Sequence, residues 1–398
     1  MTATLPEARW RHRAGLDALL AALGEGNARF VGGAVRDTLL GLDVSDVDLA
    51  TTLPPATVLE RLNSAAIKAV PTGMAHGTIT AVLADGPVEI TTLRRDVDTD
   101  GRRATIAYTD DWREDAARRD FTINALFADP ATGAITDYFG GIDDLREGRV
   151  RFIGDAAARI AEDHLRILRF FRFHARFGNG APDRQAYAAC MAQANSLMAL
   201  SRERIADELL KLLALPDPAA AVALMVEGGI LLPVLPEIAA EGLERLIALI
   251  DREKASLVAP SAIRRLSALL PPDPAIGDAV AARLKLSNKA RKRIVTALSL
   301  APSGDSIRQR AYWIGSEGAV DQALLRGDDE IAPLIDWTPP AMPLSGGALI
   351  QRGLPPGPDV AKALKDIEAH WVAADFPAGD ALNAIADQIV WKFQRARQ

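Results

Sequence analysis

Asp46 and Asp48 stand two positions apart at the start of a run of strand-forming residues, Val47-Asp48-Leu49-Ala50-Thr51. A strand repeats every two residues, so both carboxylates are expected on one face. Paired carboxylate oxygens suit a hard cation such as Mg²⁺. Two such ions about 3.5–4 Å apart activate an attacking hydroxyl and stabilise a leaving pyrophosphate. The chemistry this would support is nucleotidyl transfer from a nucleoside triphosphate. An Asp-x-Asp triplet alone also suits a turn with two solvated aspartates. Ahead of it lies Gly32-Gly33-Ala34-Val35-Arg36-Asp37, whose glycines let backbone approach a phosphate closely and whose following helix would aim N–H groups at the anion. Glu89, in the strand-like Val88-Glu89-Ile90-Thr91-Thr92, is the candidate third carboxylate, assisting the attacking hydroxyl.

A triphosphate needs fixed cations besides the metal, and guanidinium groups bind phosphate oxygens in pairs. Arg36 and Arg118 are the candidates. Further on, the helical pattern from Arg159 to Phe173 spaces Asp163, Arg166, Arg169 and Arg172 three residues apart. Each step of three drifts by about −60° around a helix, so only Asp163 and Arg166 are placed to read one base together. Asp163 accepts hydrogen bonds and Arg166 donates them. Cytosine and adenine each offer an exocyclic amino donor beside a ring-nitrogen acceptor, whereas uracil and guanine present the reverse order. One Asp/Arg pair therefore selects C and A. Arg169 and Arg172 are expected to reach phosphate or to brace the helix. The competing reading is a charge ladder, with Glu162–Arg166 and Arg159–Asp163 as i,i+4 pairs.

Positive charge also gathers at Arg283, Lys285, Lys289, Arg291, Lys292 and Arg293, within one helical stretch. It reads as an RNA-backbone patch or as a solvated helix face. The five histidines have no metal-ligand spacing, and the single Cys190 is expected to be a small core residue.

These residues need a scaffold, and 398 residues exceed a single domain. Short β-rich runs separated by Gly, Pro and Asp fill the first third, which reads as an α/β or α+β head. Ala/Leu/Arg segments of helical period follow from about Arg159. Hydrophobic residues form 49% of the chain and aromatics 5%, consistent with a largely helical globular protein. A net charge of −6 argues against indiscriminate binding to nucleic acid. No apolar run is long enough to cross a membrane, and no secretion signal is evident, so a reducing cytoplasm is expected. No obligate protein partner is evident. Residues 96–112, rich in Asp, Arg and Gly, have the composition of a mobile loop.

Taken together, Gly32–Thr51 resembles the first motif of the class II tRNA nucleotidyltransferase and bacterial poly(A) polymerase family. In order, Asp115–Asn124 resembles its second motif, Phe139–Leu145 its glycine hinge, Glu162–Arg166 its base-reading motif and Ser201–Ile205 its last. The resemblance implies a polymerase-beta-like α+β head over 1–140, followed by a helical neck (141–214), body (215–300) and tail (301–398). It implies that Gly32, Gly33, Arg36 and Asp37 contact the nucleotide beside the metal strand. Arg118, Arg119, Asp120 and Asn124 would serve phosphates and ribose, and the loop at 96–112 would take part in the switch to A addition. The expected activity is addition of C, C and A to tRNA from CTP and ATP with Mg²⁺. A poly(A) polymerase and an enzyme adding only CC or only A are the alternatives. A non-catalytic RNA-binding relative would show an eroded metal pair, and this pair is intact.

Overall fold

The computed structural model describes residues 3–100, 103–299, 306–327 and 331–396, with the side chains of 96–100 and 103–106 outside that description. The chain forms two compact units, one of Met1–Leu212 with Ala220–Val234, the other of Leu213–Ala219 with Leu235–Gln398.

In the first unit the strands are β1 (Ala28–Val31), β2 (Val47–Thr51), β3 (Ala69–Gly73), β4 (Thr78–Leu83), β5 (Gly86–Thr92), β6 (Arg94–Asp100), β7 (Arg103–Tyr108), β8 (Leu126–Ala128) and β9 (Ile135–Asp137). Seven of them make one sheet in the order β3-β4-β5-β2-β1-β8-β9. All its ladders are antiparallel except β2 with β5, which run parallel with Asp48 opposite Glu89. The alternation explains the register: Val47, Leu49, Val88 and Ile90 are buried in the core with Phe30 and Ile79, so the residues between them face the other way. Leu16, Leu19, Leu23, Val58 and Leu62 from the helices Leu16–Leu23 and Pro55–Ser64 close this core. Each such side chain contributes roughly 1.5–3 kcal/mol on burial.

The runs Val47–Thr51 and Val88–Thr92, read as strands from sequence, are β2 and most of β5. β8 and β9 are three residues each, too short for a legible alternation. The segment read as a mobile loop is instead a two-stranded hairpin of β6 and β7, with Arg94 opposite Tyr108 and Asp100 opposite Arg103. The sequence of this segment includes Val, Thr, Ile and Tyr among its Asp and Arg, residue types that favour strands. Residues 101 and 102 lie outside the described residues.

Helices Ala156–Glu162, Arg166–Phe177, Arg184–Ala192, Arg202–Leu213 and Ala219–Glu227 follow. The continuous helix expected from Arg159 to Phe173 is broken. Asp163 is extended, at φ −149° and ψ 105°, and its Oδ1 accepts from the Leu165 N–H at 3.1 Å. Asp side chains bond their own backbone two residues on, which offers the chain an exit from the helix.

The second unit is helical, from Ala240–Ala255 to Asp380–Arg395. Its centre is ionic as well as apolar. Glu253, 2% exposed, accepts from Arg264 at 2.6 Å and Arg265 at 2.8 Å, and Arg264 and Arg293 both hold the buried Asp321. Arg265 also donates to the carbonyls of Leu213, Leu215 and Pro216. The basic stretch read as one helix is two, Pro274–Arg283 and Asn288–Leu298, joined through Lys285 at φ 52° with Ser287 capping the second. No helix among the described residues is long and apolar enough to cross a membrane.

Candidate active site

Asp46 immediately precedes β2 and is exposed, its Oδ2 accepting from the Ser45 hydroxyl at 2.9 Å. Asp48 is half-buried within β2 and faces Glu89 across the parallel ladder. Burial pushes the Asp48 carboxyl up to about 6, the Glu89 charge adds to this, Arg119 opposes it and Asp46 reinforces it. Among the described residues no group of three or more His, Cys, Asp or Glu side chains forms a ready metal cage. Asp48, repelled by both Glu89 and Asp46, offers hard oxygens of the kind a divalent cation would neutralise.

Gly32 holds φ 68° and ψ −122°, a backbone state that favours glycine. A Cβ there would meet Arg119 Nη1 at 3.6 Å, so this guanidinium lies against the glycine loop as well as in the field of Asp48. Gly33 begins the helix Gly33–Leu39.

Arg36 turns inward. It is 6% exposed, donates to Asp37 Oδ1 at 2.7 Å and to Asn124 Oδ1, and lies 4.2 Å from the Phe177 ring centre. Burial lowers its pKa against the opposing pull of Asp37. Asp37 also pairs with Arg176 at 3.2 Å. The chain of contacts continues as Asn124 donates to Asp120 Oδ1 at 2.9 Å and Arg169 holds Asp120 Oδ2 at 2.6 Å. Burial raises the Asp120 carboxyl, but Arg169, Asn124 and the Phe121 N–H outweigh it and keep it below the usual carboxylate range. Glu208 then receives Arg172 at 2.6 Å and lies 3.5 Å from Arg169. Both arginines therefore brace buried carboxylates.

Asp163 and Arg166 do not share a helix face. Asp163 Oδ2 accepts from Arg204 at 2.8 Å. Arg166 donates to Glu162 at 2.6 Å, to the Arg159 carbonyl at 2.9 Å and to the Arg118 carbonyl at 3.0 Å. The Glu162–Arg166 rung of the charge ladder exists; Arg159 pairs with Glu162 rather than with Asp163. Arg118 and Arg119 are both held by Asp115. In the glycine hinge, a Cβ on Gly141 would sit 2.3 Å from the Thr122 carbonyl oxygen, so only glycine lets the chain pass.

The basic stretch of the second unit is largely neutralised. Arg283 pairs with Glu237, Arg291 with Asp278, and Arg293 with Asp321 and Glu317. Lys285 also has a partner. Lys289 and Lys292 are exposed, with no ion pair among the described residues. Cys190 is buried and its thiol is pushed above the usual range by that burial. Glu208 was not singled out from sequence, and Asp115 and Arg204 entered only as members of the second and last motifs, with no role of their own. Glu208 carried no signal beyond its nearness to the last motif, because burial of a lone carboxylate on an amphipathic helix depends on partners far along the chain.

The poly A polymerase head domain family matches residues 28–151, and the family described as "Probable RNA and SrmB- binding site of polymerase A" matches 181–241. The seven-stranded sheet thus lies within a poly A polymerase head domain, a nucleotidyltransferase fold. Human mitochondrial CCA tRNA nucleotidyltransferase 1 is 48% identical over 188 residues, covering 46% of this chain and 43% of that protein, so the match spans less than half of either. The CCA-adding enzyme of Latilactobacillus sakei is 32% identical over 373 residues, 88% of this chain and 91% of that enzyme. The crystal structure of the Bacillus stearothermophilus CCA-adding enzyme in complex with CTP matches with a TM-score of 0.75 at 26% identity, over 95% of this chain and 96% of that one. The chain belongs to the CCA-adding enzyme family.

Proposed function

We propose that this protein adds C, C and A to the 3′ end of tRNA from CTP and ATP without a nucleic-acid template. The observation that carries the chemistry is Asp48 facing Glu89 across a parallel ladder with Asp46 beside them. Asp46 and Asp48 would hold Mg²⁺, which when bound lowers the pKa of the primer 3′-hydroxyl and neutralises charge on the phosphates. Glu89 accepts a hydrogen bond from that hydroxyl and orients it in line with the α-phosphate. Arg119, lying between the glycine loop and Asp48, binds phosphate oxygens as pyrophosphate leaves. Arg118, Gly32 and Gly33 line the same phosphate path. Arg36, Asp37, Asp120, Asn124, Arg169 and Arg172 act one contact further out, fixing the frame.

Asp163 and Arg166 read the base by exchanging their partners, Arg204 and Glu162, for the amino and ring-nitrogen edge of C or A. Asp163→Ala is expected to keep tRNA affinity while raising UTP incorporation relative to CTP by about tenfold or more. Unchanged selectivity across the four triphosphates removes Asp163 as the reader.

We assign 1–140 as the catalytic head, 141–214 as the neck, 215–300 as the tRNA-binding body and 301–398 as the tail. Within the body the RNA-facing charge is Lys289 and Lys292, since the neighbouring arginines already serve carboxylates. Reversing both to Glu should weaken tRNA binding about tenfold at low salt and reduce the salt slope by about two. An unchanged slope excludes that face. The lone free thiol of Cys190 supports a cytoplasmic setting.

The deciding experiment incubates the protein with Mg²⁺, each triphosphate singly, and tRNA ending at the discriminator base, at C or at CC. Ordered addition that stops after A is expected. Long A tails on unrelated RNA would instead identify a poly(A) polymerase, and addition that stops after CC, or adds only A, a partial enzyme.

A further inference from the structure

Asp115 lies on the short helix Trp112–Ala117 and is 1% exposed. Its Oδ1 accepts from Arg118 Nε at 2.8 Å and from the Arg94 backbone N–H at 3.3 Å, and its Oδ2 accepts from Arg119 Nη2 at 2.9 Å and Nε at 3.2 Å. One buried carboxylate therefore fixes two neighbouring guanidiniums and the first residue of the β6–β7 hairpin. Burial works to raise its pKa, but Arg119 and Arg118 outweigh that and keep it below the usual carboxylate range, so it stays charged at neutral pH. The Arg118 carbonyl is held in turn by Arg166, and the Ala117 carbonyl by Arg159 at 2.9 Å. Consecutive arginines diverge unless something aligns them, and nothing else described holds both side chains.

On the functional reading above, we infer that Asp115 is a positioning residue for the triphosphate, aligning Arg118 and Arg119 on the phosphate path and anchoring the root of the hairpin to the same point. Its charge and its geometry pull in opposite directions. The carboxylate partly cancels the positive field that attracts a triphosphate, so an electrostatic role alone predicts tighter nucleotide binding when it is neutralised. A positioning role predicts weaker binding, because two long side chains must then be ordered by the ligand itself. The hydrogen bonds are charge-assisted, accepted by a buried carboxylate from four N–H donors on three residues, and their loss dominates.

The test is Asp115→Asn, which keeps the shape and removes the charge and one acceptor. Binding of CTP, CMP and inorganic pyrophosphate with Mg²⁺ is measured directly, alongside KM and kcat for C addition and the thermal midpoint. The expected result is about tenfold weaker binding of CTP and pyrophosphate and a matching rise in KM, with CMP binding within about twofold of wild type and kcat less affected. Equal or tighter CTP binding by the folded variant overturns the inference, as does an equal loss for CMP, which marks a general structural defect. If Asp115→Asn does not fold, Asp115→Glu carries the same comparison, since it keeps the charge and displaces the paired contacts with Arg118 and Arg119. Failure of the wild-type protein to bind CTP or pyrophosphate would overturn the functional reading itself.

Discussion

Asp48→Asn is expected to lower nucleotide addition by about 10³-fold, equivalent to roughly 4 kcal/mol of lost transition-state stabilisation, while raising the melting temperature at neutral pH. The two effects share one cause. Folding half-buries Asp48 opposite Glu89 and near Asp46, and its carboxyl rises from 3.8 to about 6. Below pH 3.8 the group is protonated in both folded and unfolded chains and costs nothing. As the pH climbs through about 6 it must ionise against burial and like charge, so fold stability falls across that window by about 1–3 kcal/mol. Asparagine removes this cost. The variant should therefore melt a few degrees above wild type at pH 7–8 without magnesium, and the gap should close below pH 4. Adding Mg²⁺ should raise the wild-type midpoint and leave the variant nearly unmoved. A variant that melts below wild type at pH 8 would contradict the assignment of Asp48 as a destabilised ligand.

Glu253→Ala in the second unit is expected to cost about 3–5 kcal/mol of stability, seen as a lower urea midpoint. Arg264 and Arg265 are 5% and 1% exposed, and the carboxylate between them cannot be replaced by water without opening the core. Arg264 would keep Asp321, so Arg265 bears most of the loss. Its remaining acceptors are the carbonyls of Leu213, Leu215 and Pro216, which are neutral. That segment should become more open to protease. A loss under about 1 kcal/mol would mean that the network is wetter than its burial indicates.

The head and its carboxylates were legible because their signals are local. Two glycines ahead of Asp46 and Asp48, and the alternation around Glu89, survive in any context. The pairing of Asp48 with Glu89 was not legible, since a parallel register joins segments whose intervening chain says nothing of their alignment. The break at Asp163 escaped for a different reason. Glu162 to Phe173 contains no Gly or Pro, and the helical period continues through it, so the exit depends on one side chain, Asp163, accepting from the Leu165 N–H two residues on. The basic stretch misled because composition counts charges and cannot see that Glu237, Asp278, Glu317 and Asp321 arrive from elsewhere to neutralise them. Asp115 and Glu208 look like ordinary surface carboxylates until the arginines around them are known.

The polar chain from Asp37 through Arg36, Asn124, Asp120, Arg169 and Glu208 to Arg172 also has a dynamic consequence. It ties the helix Gly33–Leu39 to helices Arg166–Phe177 and Arg202–Leu213, elements well over a hundred residues apart in sequence. Opening any one of them leaves a buried or half-buried charge without its partner. Their backbone amides should accordingly exchange as one cooperative block rather than by fraying singly. On the proposed function, the spacing between the carboxylates of β2 and β5 and the base-reading pair would then behave as a rigid gauge, and a larger or smaller base would be met by the side chains of Asp163 and Arg166 rather than by a sliding helix.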